Sequence, residues 1–241
     1  MVTLARALQS QGFGTRKGCI LRVRRGEVAV NGVVCDDPDA EFDPADLTFT
    51  LDGLAWPYRP RAYLALHKPA GYECSHKPRH HPSVFSLLPA PLVARGVQCI
   101  GRLDQDTTGL LLFSDDGPFQ HRMISPKRHV AKIYRASCAA PVTDEQLAAL
   151  RSGVQLHDAP GPLAALACER IDACTLRLAL AEGKYHQVKR MVAAAGNHVA
   201  ALHREAVGAY RLPDDLEPGQ WRWLAPGELA RLEQAWPSDP S

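Results

Sequence analysis

The sequence lacks any run of about 18 apolar residues, so we predict no membrane-spanning helix. Its first residues lack a long apolar core behind a basic start, and we expect no secretory signal. The motifs G-x-x-x-x-G-K-[S/T], G-x-G-x-x-G and G-x-S-x-G are also missing. Nucleotide hydrolysis, dinucleotide-dependent chemistry and α/β-hydrolase chemistry therefore have no motif support.

Cysteine is present, but its spacing is scattered and it forms no Cys-x-x-Cys pair. The seven cysteines are Cys19, Cys35, Cys74, Cys99, Cys138, Cys168 and Cys174. An odd number without pairing argues against both a disulfide framework and a zinc–cysteine site. We expect reduced thiols in a cytoplasmic protein.

A strong excess of one charge is absent too, because 28 Lys and Arg face 26 Asp and Glu. The net charge of +2 does not by itself indicate a nucleic-acid partner. Basic residues nevertheless cluster without an intervening acid at Arg16, Lys17, Arg22, Arg24 and Arg25. Such a run fits a phosphate-binding helix face, and it fits equally well a solvated face balanced by acids elsewhere.

The first sixty residues have the pattern of a small separate unit. Apolar spacing after Leu4 predicts one helix, and Thr15 can cap a second. Alternating apolar residues around Asn31-Gly32 predict a hairpin, followed by a short strand near 47–51. The proline-containing segment 52–62 is predicted to be a linker. We place the domains at 1–58 and 59–241.

The larger domain mixes strand and helix patterns without strict alternation. Strands are predicted at Tyr63–Leu66, Leu110–Phe113, Ile133–Cys138, Leu166–Ile171, Thr175–Ala179 and Val199–His203. Helices are predicted at Pro118–Ser125, Thr143–Ser152, Tyr185–Ala195 and Glu228–Ala235. The mixture predicts an α+β fold with a mixed, mainly antiparallel sheet.

Two carboxylates, Asp104 and Asp106, precede an apolar strand in the segment GRLDQDTTGLLLFSDDG. Turn chemistry explains both, and the spacing alone favours that interpretation. In the functional interpretation, Asp104 is a nucleophile or base that a cation such as Arg102 keeps ionised.

A second group of polar residues, in EGKYHQVKRM, concentrates cations at the start of a predicted helix. These are Lys184, His186, Lys189 and Arg190. Cations at a helix N-terminus oppose the macrodipole by a few tenths of a kcal/mol each, so their placement is a mild indication of function. They could bind phosphate or pair with a buried carboxylate, and a solvated basic face is the alternative.

Two further segments each allow a structural and a functional interpretation. Cys74, His76, His80 and His81 in CSHKPRHHP could bind zinc, but no second ligand pair stands at usable spacing, and a phosphate-contacting loop is favoured. Tyr134 in KIYRA fits a cross-strand aromatic or a stacking platform for a nucleobase, and alone the former is favoured.

Taken in this order, the segments resemble the pseudouridine synthase family. GRLDQDTTGLLL resembles the signature around that family's catalytic aspartate, with Asp104 at the matching position. HKPAGY, KIYRA and GKYHQVKRM are similar to its other motifs and place Lys68, Tyr134 and Lys189 at matching positions. The first sixty residues resemble an S4 RNA-binding domain, which points to the branch that modifies ribosomal RNA.

The resemblance implies a reaction that breaks the C1′–N1 bond of a uridine, turns the uracil and joins C5 to C1′, with no cofactor and no metal. It implies that Asp104 acts as nucleophile or base, that Tyr134 stacks on the extruded uracil and that Lys189 keeps Asp104 ionised. Asp106 and Thr107 are expected to brace the loop. The implied RNA-binding residues are Arg102, Arg16, Lys17, Arg22, Arg24, Arg25, Lys68, Lys184, His186 and Arg190, with further backbone contacts from Lys77–His81 and Lys127–Arg128.

The implied partner is ribosomal RNA, in particular small-subunit RNA at uridine 516 of 16S rRNA, bound by a monomer. Three alternatives stay open. The target could lie in the large subunit, the protein could be a catalytically silent RNA-binding assembly factor, or Asp104 and Asp106 could hydrolyse a glycosidic bond.

Overall fold

The computed structural model describes residues 1–125 and 128–236. The chain forms two compact units, of which the first comprises residues 1–62 and 88–98 and the second comprises residues 63–87 and those from 99 onwards. The domain boundary after residue 58 stays a prediction. The return of residues 88–98 to the first unit was not expected, because the contacts that hold this segment are distant in sequence.

The first unit combines short helices with two small sheets. Its elements are β1 (Val2–Thr3), α1 (Leu4–Ser10), α2 (Arg16–Arg24), β2 (Val28–Val30), β3 (Val33–Val34), β4 (Glu41–Phe42), β5 (Thr48–Leu51), β6 (Leu54–Pro57) and α3 (Ala90–Ala94). The sheets have the orders β1-β4 and β3-β2-β5-β6. Thr15 caps α2 by accepting from Gly18 N at 3.2 Å, and Asn31-Gly32 turns the β2–β3 hairpin, as predicted.

The predicted linker at 52–62 is wrong in part, because its first half forms β6. Asp52 and Gly53 both have positive φ and form a two-residue turn, so Leu54–Pro57 pairs back on Thr48–Leu51. Asp-Gly is a strong hairpin signal that the neighbouring prolines obscured. Pro57 is tolerated because it ends the outermost strand of this sheet.

Gln11 is the buried polar centre of the first unit. Its Nε2 donates to Arg59 O at 3.0 Å. Its Oε1 accepts from Trp56 Nε1, Arg59 N and Arg95 Nη1, at 3.3, 3.2 and 2.8 Å. These bonds join α1, the end of β6 and the segment 88–98, since a buried amide must satisfy both its oxygen and its nitrogen.

The second unit is built on one mixed sheet. Its strands are β7 (Tyr63–Lys68), β8 (Gln98–Ile100), β9 (Thr108–Ser114), β10 (Lys132–Cys138), β11 (Ala167–Asp172), β12 (Thr175–Leu180), β13 (Val199–Val207), β14 (Tyr210–Arg211) and β15 (Trp221–Trp223). The order is β11-β12-β10-β13-β9-β7-β15, with β14 on β13 and β8 on β9. All pairs given a register are antiparallel except β9–β13, which confirms the predicted mixed, mainly antiparallel sheet.

The helices of this unit are α4 (Gly117–Ile124), α5 (Asp144–Ser152), α6 (Gln187–Ala194) and α7 (Pro226–Leu232). Thr143 and Gln146 form a capping box at α5. The helix α6 begins two residues later than predicted, because His186 takes a left-handed conformation with φ 49°. No helix within residues 1–125 and 128–236 combines the length and apolarity needed to cross a membrane.

The strand β9 is the most deeply buried element, and it positions the loop that precedes it. Its Leu110–Phe113 segment is fully or almost fully buried, between β7 and β13. At its start, Gly109 has φ 104° and pairs with Arg204 of β13. A Cβ at Gly109 would lie 2.3 Å from Arg204 O, so only glycine allows the two backbones to approach this closely.

We predict that Gly109→Ala lowers the free energy of unfolding by about 3 kcal/mol or more, because the new methyl group collides with backbone and not with a movable side chain. Gly219→Ala is the matched control: φ there is 87°, but no atom lies within 4 Å of the added Cβ. It should cost about 1 kcal/mol through strain alone. Chemical denaturation measures both, and equal losses would contradict the close-approach argument.

Candidate active site

Asp104 lies in the loop between β8 and β9, with 26% of its side chain exposed. Two basic residues at the start of α6 approach its carboxylate. His186 Nε2 lies 3.3 Å from Asp104 Oδ1, and Lys189 Nζ lies 3.4 Å from Oδ2. The two segments that the sequence analysis singled out separately therefore meet at one carboxylate.

Lys189 also binds Asp106, and more closely than it binds Asp104. Its Nζ donates to both Asp106 carboxylate oxygens, at 2.7 and 2.9 Å. Partial burial would raise the pKa of Asp106, but the hydrogen bond and charge of Lys189 outweigh it and lower that pKa. Asp106 was expected to brace the loop with Thr107, and the Lys189 ammonium group joins both carboxylates of that loop to α6.

Two further features of His186 distinguish it from an ordinary surface residue. Its left-handed backbone costs a non-glycine residue about 1 kcal/mol, and strain of this kind is concentrated at functional sites. Its ring stacks on that of Tyr185, with centroids 3.8 Å apart and an interplanar angle of 17°. Tyr185, which the sequence analysis did not single out, is 73% exposed. By spacing alone, Tyr185 was not distinguishable from an ordinary residue on the surface of a helix.

Lys68 lies at the end of β7 and is completely buried. Its Nζ donates to four backbone carbonyls, those of Pro69, Asp104, Gln105 and Thr107, at 3.1, 3.0, 3.1 and 2.9 Å. Burial lowers the pKa of Lys68, although the charges of Cys74, Asp106 and Asp104 oppose that shift. Its predicted RNA contact is corrected, because the buried ammonium group is already surrounded by backbone carbonyls and holds the Asp104 loop.

Cys74 lies beside this loop and accepts a hydrogen bond from Leu103 N at 3.5 Å. A hydrogen bond from the Cys99 thiol, together with Leu103 N–H, Lys68 and Arg204, lowers the pKa of Cys74 to about 6 despite burial. The same hydrogen bond and burial raise the pKa of Cys99.

Two cavities meet around Tyr134, whose side chain is buried on β10. One, of about 50 Å³, is lined by Asp104, Thr107 and His186 among others. The second, of about 100 Å³, is lined by Lys132 and Arg204 among others. Arg102 and Tyr134 line both cavities, and Arg102 is exposed. The ring of Tyr134 is thus placed where it could contact a planar group brought to Asp104.

The remaining predicted RNA-binding residues fall into distinct settings. In the second unit, Lys184 pairs with Glu182 at 2.9 Å and Arg190 pairs with Asp158. In the first unit, Arg22 pairs with Glu27 and Asp52, whereas Arg16, Lys17, Arg24 and Arg25 are exposed on α2 or directly after it. Lys127 lies outside the described residues.

The histidine-rich loop is organised by a carboxylate. Glu73 accepts hydrogen bonds from the backbone N–H groups of Arg79, His80 and His81, and these bonds lower the pKa of Glu73. In the same loop, the His76 ring stacks on the Phe85 ring, with centroids 3.7 Å apart. In the part of the chain that the structure describes, no group of three or more His, Cys, Asp or Glu residues could hold a metal ion.

We predict that Lys68→Met lowers the free energy of unfolding by about 3 kcal/mol, because four carbonyls lose a charged donor within a buried environment. Lys184→Met is the control, since its partly exposed ion pair with Glu182 should contribute less than about 1 kcal/mol. Urea denaturation measures both. A loss at Lys68 no larger than that at Lys184 would show that the carbonyls find other donors.

Comparison with known proteins adds a second line of evidence. A family model described as RNA pseudouridylate synthase matches residues 62–194, a span that includes Asp104, Tyr134 and Lys189. The chain is 41% identical over 211 residues to ribosomal small subunit pseudouridine synthase A of Escherichia coli strain K12, covering 87% of this chain and 90% of that protein. For the protein of the same name from Yersinia pestis the identity is 39% over 225 residues, covering 92% and 95%.

The fold agrees with these sequence matches. A crystal structure of a pseudouridylate synthase aligns with a TM-score of 0.68 and 32% identity, covering 96% of this chain and 100% of that chain. The predicted family resemblance is thereby confirmed by sequence and by structure. With the family model matching more than half of its length, this chain belongs to the RNA pseudouridylate synthase family.

Proposed function

We propose that this protein isomerises a uridine of ribosomal RNA to pseudouridine, at uridine 516 of the small-subunit 16S rRNA. The observation that carries the proposal is the Asp104 carboxylate, placed between His186 and Lys189 beside a cavity lined by Tyr134. The small-subunit target is supported by relatives that are named small-subunit pseudouridine synthases.

The reaction requires the target uridine to leave its helix, at a cost of a few kcal/mol. Arg102 is exposed at the edge of both cavities. It is suited to occupy the space that the flipped nucleotide leaves in the RNA helix. The flipped uracil then lies against Tyr134, with its C1′ atom near Asp104. This placement explains why an aromatic ring and a carboxylate border the same cavity.

Asp104 then acts either as a nucleophile at C1′ or as the base that forms a glycal. In both routes the C1′–N1 bond breaks, the uracil turns, and a C1′–C5 bond forms. The proton on C5 is lost and N1 gains one, so atoms and electrons balance without a redox partner. Lys189 counters the charge of Asp104 in both routes, and His186 Nε2 lies 3.3 Å from the same carboxylate.

RNA binding is assigned to both units separately. In the first unit, which we propose to be an S4-like RNA-binding domain, exposed cations on α2 would contact phosphates without reading sequence. Arg16 and Lys17 stand in the first turn of α2, where cations oppose the helix dipole. Their placement is unfavourable for the helix alone and favourable for binding an anionic partner.

We propose that the protein acts as a monomer in the cytoplasm.

We predict that Asp104→Asn lowers pseudouridine formation by at least about 10³-fold, because it removes the reacting carboxylate. Asp106→Asn, which removes the same charge two residues away and shares Lys189, should lower it much less. Pseudouridine mapping of small- and large-subunit rRNA, with and without each protein, measures the effect and identifies the target.

Several outcomes of that mapping would reject the proposal or part of it. Normal turnover by Asp104→Asn would show that Asp104 is not the reacting carboxylate. Equal inactivation by Asp106→Asn would contradict the assignment of the reaction to Asp104 alone. Release of free uracil would indicate a hydrolase. A new pseudouridine only in large-subunit RNA would overturn the small-subunit target, and none in either RNA would favour a silent assembly factor.

We predict that replacing Arg16 and Lys17 together by Gln weakens RNA binding and lowers the slope of log K against log salt by about 1 per lost phosphate contact. The helix itself should not be destabilised, because these cations oppose its dipole. Arg22→Gln is the control: it breaks ion pairs to Glu27 and Asp52, so it should lower stability more than affinity. An unchanged salt slope in the double variant would contradict the role of α2.

A further inference from the structure

Thr107 carries a buried hydroxyl group for which the described residues offer no hydrogen-bond partner. Its side chain is 1% exposed, and Oγ1 is unbonded. Both of its backbone groups are satisfied, since its N–H donates to Asp104 O at 3.1 Å and its carbonyl accepts from Lys68 at 2.9 Å. The unpaired atom is therefore confined to the side chain, in a loop that is otherwise firmly held.

The next residue gives a direct comparison. Thr108 Oγ1 lies 2.8 Å from His203 Nδ1 and 3.5 Å from Leu202 O. The two adjacent threonines thus differ at their hydroxyl groups: that of Thr108 has protein partners, and that of Thr107 has none among the described residues. Loop packing alone does not explain Thr107, because valine would fill the same space without a polar atom.

A buried hydroxyl without a partner costs about 1–3 kcal/mol, so an unsatisfied group of this kind needs an explanation. Thr107 lines the cavity of about 50 Å³ that Asp104 and Tyr134 also line. The atom that lacks a partner among the described residues therefore belongs to a residue at the surface where the proposed substrate would bind.

We propose that Thr107 Oγ1 forms a hydrogen bond to the target nucleotide once that nucleotide has flipped into the cavity, an inference that rests on the proposed function. The partner is a polar atom of the ribose or of the uracil. The bond recovers the cost of the unpaired hydroxyl only when a nucleotide is seated against Asp104. Thr107 thus adds a contact next to the reacting carboxylate, in addition to bracing the loop.

The test compares Thr107→Val, Thr107→Ser and Thr108→Val in the full-length protein, with ribosomal RNA that contains the mapped target. Thr107→Val should leave the free energy of unfolding unchanged or higher and lower kcat/KM about tenfold. Thr107→Ser, which keeps the hydroxyl, should restore most of that loss. Thr108→Val should show the reverse pattern, with lower stability and nearly normal kcat/KM.

Full activity of Thr107→Val would overturn the inference, and so would a loss of stability equal to that of Thr108→Val, which would indicate a structural role. Substrates with 2′-deoxyuridine at the target test one partner: if the Thr107→Val effect disappears, the 2′-hydroxyl is the partner, and if it persists, the partner is a polar atom of the uracil or another oxygen of the sugar. Failure of the proposed function is distinguishable, because the unaltered protein would then form no pseudouridine at all.

Discussion

One buried ammonium fixes the loop on which the candidate site depends. Lys68 loses its hydration on β7, and in return its ammonium group bonds three backbone carbonyls of the Asp104 loop and the carbonyl of the neighbouring Pro69. A charge buried without such partners would be too costly to retain, so the lysine selects this loop conformation over alternatives. Because Asp104 and Thr107 both supply carbonyls, the selection also determines where their side chains begin.

The opposite side of the loop is held by charge and not by burial. Lys189 binds Asp106 closely and approaches Asp104, while His186 approaches Asp104 from the residue before α6. Two neighbouring carboxylates would repel one another without the Lys189 ammonium group, which approaches both. Cations at the start of α6 weaken that helix on its own. Their position is explained by Asp104 and Asp106, which lie in another part of the chain.

The larger sheet was predictable from alternating apolar residues. The contact between Asp104 and Lys189 was predictable from the family motifs. Other features depend on contacts between residues distant in sequence. Nothing in HKPAGY indicated that Lys68 would be buried, since lysine is usually exposed. The late start of α6 follows from the left-handed His186, which spacing does not reveal. The Asp52-Gly53 turn was a readable signal that nearby prolines concealed.

The path of the chain limits how either unit can be exchanged between related proteins. Residues 88–98 return to the first unit, where Arg95 bonds Gln11 and where a Cβ on Gly12 would collide with Pro91 O. A gene cut at one point near residue 62 would separate α3 from the rest of the first unit and remove the hydrogen bond from Arg95 to the Gln11 amide oxygen. Exchange of either unit by a single crossover would therefore damage the first one, and successful chimaeras require two junctions around 88–98 in addition to the one near residue 62.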